Sequence, residues 1–251
     1  MTERLAEKVV VVTGAAQGMG QTHARRLVAE GALVVLADID EEGTAVLARE
    51  LGEAALPVRL DVTREADWSD ALDRAVERFG RVDALINNAG LLARGDVDST
   101  PRETWERVMN VNATGVYLGT AAVMPLLKAQ SSGSIVNISS VDGLRGTDHL
   151  FAYTASKWAV TGMTKAAAME CAPWGIRVNS VHPGLILTPM SESLGPTRLA
   201  IPMGRGARPE EVSAMVAFLA SDESAYCTGA EFVIDGGLTA GIPHRDPSAV
   251  A

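Results

Sequence analysis

The stretch Val9-Val10-Val11-Val12-Thr13-Gly14-Ala15-Ala16-Gln17-Gly18-Met19-Gly20 decides how the rest of the chain is read. Four β-branched residues in a row are too few for an interior helix and suit a strand buried on both faces, as in a parallel sheet. Thr13-Gly14 ends that strand in a turn. Gly14, Gly18 and Gly20 punctuate the turn, and residues 21–30, with their alanines, arginines and Leu27-Val28, have the composition of a helix packed on a sheet. Glycines permit unusual backbone angles and close approach, so a pyrophosphate can sit against the amides at the positive end of such a helix.

Moving outward, Leu33-Val34-Val35-Leu36-Ala37 is a second apolar run, and it ends at Asp38. A carboxylate about 20 residues beyond the glycine turn is where a dinucleotide fold places its ribose-binding acid. Asp38 can accept hydrogen bonds from the adenosine ribose hydroxyls and would repel a 2′-phosphate, which selects NAD over NADP. The uncharged Gln17 agrees, and Asp40 is placed to cap the next helix. Further β-α alternation follows. Residues 41–51 read as helix, 54–60 as strand and 64–79 as an amphipathic helix, with Asp61-Val62-Thr63 between the last two. Asp61 suits either the adenine edge or a helix cap. Ala84-Leu85-Ile86 is a fourth strand, ending in Asn87-Asn88-Ala89-Gly90, whose small residues let backbone approach a planar cofactor.

Residues 101–128 read as one long helical region in which Asn112 is awkward, since asparagine is a mediocre helix former. Ser134 to Ile138 is the fifth strand, with Ser139-Ser140 at its carboxyl end, the edge that holds ligands in open α/β sheets. Within the helix that follows, the four-residue spacing of Tyr153 and Lys157 brings a phenol and an ammonium to one face. A phenol is a poor base at neutral pH, and a neighbouring cation favours its ionised form, so the pair suits proton transfer. Residues 177–181 form a sixth strand, 209–220 a final helix and 231–234 a seventh strand. Between them, a loop at about 185–201 lacks a clear period and suits a lid; the tail from about 240 to 251 reads as irregular. His182, beside a strand end with no spaced partner, reads as structural.

Composition bounds the rest. With 251 residues, 47% of them hydrophobic and 21% charged, and with no internal repeat or linker-like tract, the chain reads as one dinucleotide-binding and catalytic domain spanning 1–251. No apolar run reaches the roughly 18 residues of a membrane span, and the expectation is a cytoplasmic protein. Cys171 and Cys227 offer neither a disulfide framework nor metal-ligand spacing with the four histidines; they read as buried free thiols, with no metal expected. The formal charge of −9 argues against nucleic acid, anionic membranes or an acidic protein as partner.

Taken together, the glycine turn at Thr13 to Gly20, Asn87-Asn88-Ala89-Gly90, Pro183-Gly184 with Thr188, and the set Asn112, Ser140, Tyr153 and Lys157 resemble the short-chain dehydrogenase/reductase family from Lys8 to Gly237. The resemblance implies a Rossmann-like, doubly wound seven-stranded parallel sheet flanked by helices, and a homotetramer built through the helices around Asn112 and Tyr153. It implies a catalytic tetrad in which Tyr153 is the acid/base, Lys157 lowers its pKa and holds the nicotinamide ribose, Ser140 orients the substrate oxygen and Asn112 holds a relaying water. Ser140 is preferred to Ser139 by its thirteen-residue distance from the tyrosine. The cofactor set it implies is Gly14, Gln17, Gly18, Met19, Gly20, Asp38, Asp61, Val62, Asn88, Ala89, Gly90, Tyr153, Lys157, Pro183, Gly184, Ile186 and Thr188.

The expected activity is NAD(H)-dependent interconversion of secondary alcohols and ketones. Within the family, 60–63, 133–140, 176–184, 188–190 and 224–237 resemble bacterial 3α,20β-hydroxysteroid dehydrogenases, which implies a hydroxysteroid or another bulky or aryl ketone as substrate. Substrate contacts are expected from Ser140, Asp142, Arg145, His149, Tyr153, Met190 and Leu194, a more polar set than a steroid needs. Two alternatives are weighed. An NADPH-dependent 3-oxoacyl carrier-protein reductase shares the motifs but is disfavoured by Asp38 and the acidic charge balance, and an inactive nucleotide sensor or scaffold need not keep the tetrad together.

Overall fold

The computed structural model describes residues 3–192 and 199–241, so Leu194 and most of the expected irregular tail lie outside the described residues. Seven strands form where the apolar runs stand: β1 Val9–Thr13, β2 Leu33–Asp38, β3 Ala55–Arg59, β4 Ala84–Asn87, β5 Gly133–Ile138, β6 Ile176–Pro183 and β7 Glu231–Ile234. All neighbours pair in parallel, in the order β3-β2-β1-β4-β5-β6-β7. This is the expected doubly wound sheet. Sequence order reverses between β1 and β4, and a crevice opens at such a switch point beyond the carboxyl ends of the strands.

The four valines of β1 show why both faces are covered. Val10 and Val12 join one buried cluster, with Val34, Leu36 and Ile86, under the helices α1 (Gly18–Ala29) and α7 (Pro209–Ala220). Val9 and Val11 join the other, with Val35, Leu85, Ile135 and Trp68, on the side of α3 (Glu65–Phe79). Alternation along a strand sends successive side chains to opposite faces, so an unbroken apolar run is what a doubly covered strand requires. The helix α2 (Glu41–Leu51) begins at Asp40, whose side chain caps the Gly43 amide as expected.

Three readings of the chain need adjustment. The long helical region is α4 (Arg102–Met109) and α5 (Gly115–Gln130), joined without interruption by one wider π-type turn at Asn110–Thr114 that contains Asn112. Wider turns of this kind often occur at functional sites, and an asparagine that fits an ordinary helix poorly fits one. Strand β6 extends past the expected 177–181, which places His182 inside it. Finally, Cys171 is buried but Cys227 is partly exposed, because it lies in the connection leading to β7. Among the described residues, no helix is long and apolar enough to cross a membrane.

Candidate active site

Two hollows meet at the carboxyl edge of the sheet. The larger, about 730 Å³, runs over β1, β2 and β4 and is lined by Gly14, Gln17, Gly18, Met19, Asp38, Asp61, Val62, Asn88, Ala89 and Gly90. Its floor is backbone. Gly14 and Gly18 take φ of +65° and +57°, and a Cβ on Gly20 would lie 1.9 Å from the Gly14 carbonyl oxygen. Only glycine satisfies the last of these without moving the turn. Gln17 precedes α1 in extended conformation and makes no side-chain cap, and no acidic residue stands in the first turn of α1. The positive helix end is left to an incoming anion.

At the rim, the Asp38 carboxylate accepts the Ala16 amide at 3.0 Å and the Asp40 amide at 3.0 Å, which fixes its position. Asp61 accepts both the amide (3.0 Å) and the hydroxyl (2.7 Å) of Thr63, so it closes the turn before α3, while Arg64 occupies the cap position. Asn88 donates to the Thr13 and Gly14 carbonyls, and its own Oδ1 is buried without a partner. Buried polar atoms in folded proteins are nearly always paired, so an orphaned acceptor beside a glycine-lined groove fits a ligand hydroxyl or amide. The groove therefore suits a nicotinamide dinucleotide. At the far end, Gly184 donates to the Ile234 carbonyl and Thr188 to the Ser191 hydroxyl, and Thr188 faces Gly18 across the groove.

The second hollow, about 330 Å³, holds Ser140, Asp142, Arg145, His149, Tyr153, Pro183, Gly184, Ile186, Thr188 and Met190 among its walls. Tyr153 and Lys157 come from α6 (Phe151–Cys171), and Ser140 from the short turn after β5. Lys157 Nζ lies 5.5 Å from the centre of the Tyr153 ring and donates to the Ile138 carbonyl at 2.9 Å. Ser139 donates its hydroxyl to the Lys157 carbonyl, Ser140 donates its own to Asp142, and both serines line the hollow. Asn112 grips residue Leu91 twice, accepting from its amide at 2.8 Å and donating to its carbonyl at 2.9 Å, and also donates to the Ser156 hydroxyl. It thus ties the segment after β4 to α6, directly behind Gly90.

The electrostatics depart from expectation. Burial pushes the Tyr153 phenol well above its ordinary range, the Asp142 carboxylate pushes it the same way, and hydrogen bonding with Ser140 opposes both. Burial brings Lys157 down to about 8, against an upward pull from Asp142. The expected lowering of the Tyr153 pKa by Lys157 is not met here, because desolvation dominates and burial also works against the charged form of Lys157. His182 is structural, as read: its ring bridges Ser180 Oγ and the Ser140 carbonyl, and burial lowers its pKa.

Other expected contacts are partly diverted. Arg145 donates to the Leu238 carbonyl at 3.0 Å, and His149 pairs with Asp96 at 2.7 Å while still lining the hollow. The sequence reading passes over Leu92, Arg94 and Leu238, which line it too, and Ile39, which lines the groove. Leu92 and Arg94 follow Gly90 closely, so the rule that ligands sit beyond strand ends reaches them once it is extended past β4.

The family described as enoyl-(acyl carrier protein) reductase matches residues 14–239. A 3-alpha-(or 20-beta)-hydroxysteroid dehydrogenase of Mycobacterium tuberculosis is 52% identical, over 100% of this chain and 96% of its own. A trans-4-hydroxycyclohexanecarboxylate dehydrogenase of Sinomonas cyclohexanicum is 47% identical, over 96% of each chain. Among solved structures, a 3-ketoacyl-(acyl-carrier-protein) reductase from Brucella melitensis, complexed with NADH, superposes with a TM-score of 0.91 at 36% identity, covering 93% of this chain and 99% of that one. With a switch-point groove, a buried Tyr153–Lys157 pair and full-length relatives of this kind, the chain belongs to the short-chain dehydrogenase/reductase family, oxidoreductases that act on alcohol groups with a nicotinamide cofactor.

Proposed function

We propose that this protein uses NAD(H) to interconvert a cyclic or otherwise bulky secondary alcohol and its ketone. The observation that carries the reading is the junction of the two hollows: Tyr153 and Ser140 line a cavity that shares Met19, Thr188 and Met190 with a glycine-floored groove, and Lys157 Nζ lies behind the groove wall, 3.7 Å from where a Cβ on Gly90 would stand. A dinucleotide bound in that groove supplies two-electron exchange with the substrate carbon. The residues of the chain do the remainder. Tyr153 passes a proton to the substrate oxygen during reduction and takes it back during oxidation. Ser140 orients that oxygen. Lys157 and Tyr153 are assigned to the nicotinamide ribose, Pro183, Gly184, Ile186 and Thr188 to the carboxamide side, and Asn112 holds the wall behind Gly90.

Asp38 supports NAD over NADP, since both of its oxygens are anchored at the groove rim and a 2′-phosphate would meet a fixed negative charge. A substrate of one or more fused or substituted rings fits a cavity of about 330 Å³ whose walls mix Leu92, Leu150, Leu199 and Met190 with Asp142, Arg145 and His149. Relatives acting on a hydroxysteroid and on a hydroxycyclohexanecarboxylate support the same class. The exposed Tyr117, Trp158 and Met169 on α5 and α6 support assembly into a homotetramer through those helices.

The test is oxidation of NADH against NADPH with a 20-ketosteroid, a substituted cyclohexanone and a 3-oxoacyl thioester. NADH-selective turnover of either cyclic ketone supports the reading. Preference for NADPH with the thioester would transfer the assignment to a 3-oxoacyl carrier-protein reductase.

A further inference from the structure

Asp142 is a buried carboxylate in the wall of the catalytic cavity, two residues after Ser140. Its amide donates to Ser140 Oγ at 3.1 Å, and the Ser140 hydroxyl points back to Asp142 Oδ2 at 3.3 Å. The Thr147 hydroxyl donates to the other oxygen, Oδ1. Among the described residues, Asp142 has no ion pair, so its charge is balanced only by hydroxyls and by longer-range cations. A hydroxyl has one proton. While Ser140 gives that proton to Asp142, it has none to offer to an anionic oxygen at Tyr153.

We propose that Asp142 is a positioning residue that holds Tyr153 in its proton-donating form, by taking the Ser140 proton and by placing a second negative charge beside any phenolate. The proposal rests on the alcohol–ketone reading above. Both effects act in one direction: Asp142 competes for the Ser140 proton and so weakens the lowering that Ser140 exerts on the phenol, and a phenolate would meet a like charge in a desolvated pocket. The upward push of Asp142 on the phenol has the same sign.

The other charged groups around Tyr153 do not remove this effect. Lys157 on α6, bonded to the Ile138 carbonyl and 5.5 Å from the centre of the Tyr153 ring, opposes the Asp142 charge without removing it, and His182 on β6, whose pKa burial lowers, is bonded to the Ser140 backbone oxygen. Arg145, in the turn with Asp142, reaches to Leu238 and to the field of Asp235. His149, from the segment before α6, pairs with Asp96. Asp148 and Arg94 line the outer part of the same cavity.

The experiment is the pH profile of kcat/KM for NAD-linked oxidation of a turned-over secondary alcohol, for the wild type, Asp142→Asn and Asp142→Glu. On the ascending limb, which reports loss of the Tyr153 proton, Asp142→Asn is expected to shift to lower pH by about one unit, a gain of about tenfold at a pH on the limb. Asp142→Glu, which keeps the charge, should stay near the wild type. A merely structural role would lower the plateau and leave the limb in place. An Asp142→Asn limb that coincides with the wild type, or moves to higher pH, overturns the proposal. If Asp142→Asn does not fold, judged by circular dichroism, Asp142→Ser is read on the same limb with the same two outcomes. A wild-type protein that oxidises no secondary alcohol would overturn the enzymatic reading itself, a result distinct from an active wild type whose limb ignores residue 142.

Discussion

Around Gly14 the protein meets its ligand with backbone, whereas around Asp142 it meets it with side chains. The groove floor is set by glycine angles and by contacts that leave no space for a Cβ, and at its rim Asp38 is anchored by two amides. The cavity walls come mostly from the segments that follow β5 and β6, with smaller shares from α1, the segment after β4, the start of α6 and Leu238 beyond β7. A backbone-built site is held in shape by steric necessity, while a side-chain-built site can be altered wall by wall. The two therefore call for different perturbations.

The largest effect is expected where the two hollows meet. Tyr153→Phe removes the proton carrier and should lower kcat by about 10³-fold or more, with NADH binding, followed by fluorescence, changed little. Near-normal turnover by this variant would remove Tyr153 from the chemistry and leave the cavity without its defining group. Next comes the groove alone. Gly20→Ala forces a methyl group against the Gly14 carbonyl, so the turn must open, and the NADH dissociation constant should rise by about tenfold or more. An unchanged constant would mean that the backbone floor is more pliable than the geometry implies.

A smaller shift is expected at the rim. Asp38→Ser should raise the ratio of NADPH to NADH efficiency by about tenfold, because a like charge leaves the place of the 2′-phosphate. If the ratio stays put, cofactor choice belongs to another part of the groove. The smallest effect lies beneath it. His23, on α1, is fully buried, bonded to Ser213 through Nδ1 and unpartnered at Nε2, and burial lowers its pKa from 6.5 to about 3. The folded protein keeps it neutral while the unfolded chain protonates it, so its contribution to stability is full above about 6.5 and declines as pH falls toward about 3. The urea midpoint should drop between pH 8 and pH 5, and His23→Gln should make that drop shallower. An equal drop in both proteins would assign acid sensitivity elsewhere.

How much was legible in the sequence follows the same division. Val9 to Gly20 and Asp38 could be read because each demand is local: a strand buried twice, a turn that excludes side chains, a carboxylate at a strand end. The helix-borne spacing of Tyr153 and Lys157 was equally local. What escaped depends on tertiary meetings. Nothing near Leu238 indicates that it will receive Arg145, and nothing near Asn112 indicates that a wider helical turn will aim its amide at Leu91. The direction of the Lys157 ammonium also depends on a carbonyl from another strand, Ile138, so helix spacing brought the pair together without setting its charge balance.

Met19, Thr188 and Met190 line both the groove and the cavity. A shared partition of this sort makes the two compartments report on each other: filling the first finishes a wall of the second. Two of the three partition residues are methionines, unbranched and polarizable, so the partition can re-fit itself to a differently shaped ring. That gives the enzyme a route to new substrates through the outer walls alone, with the redox partner unchanged throughout the divergence.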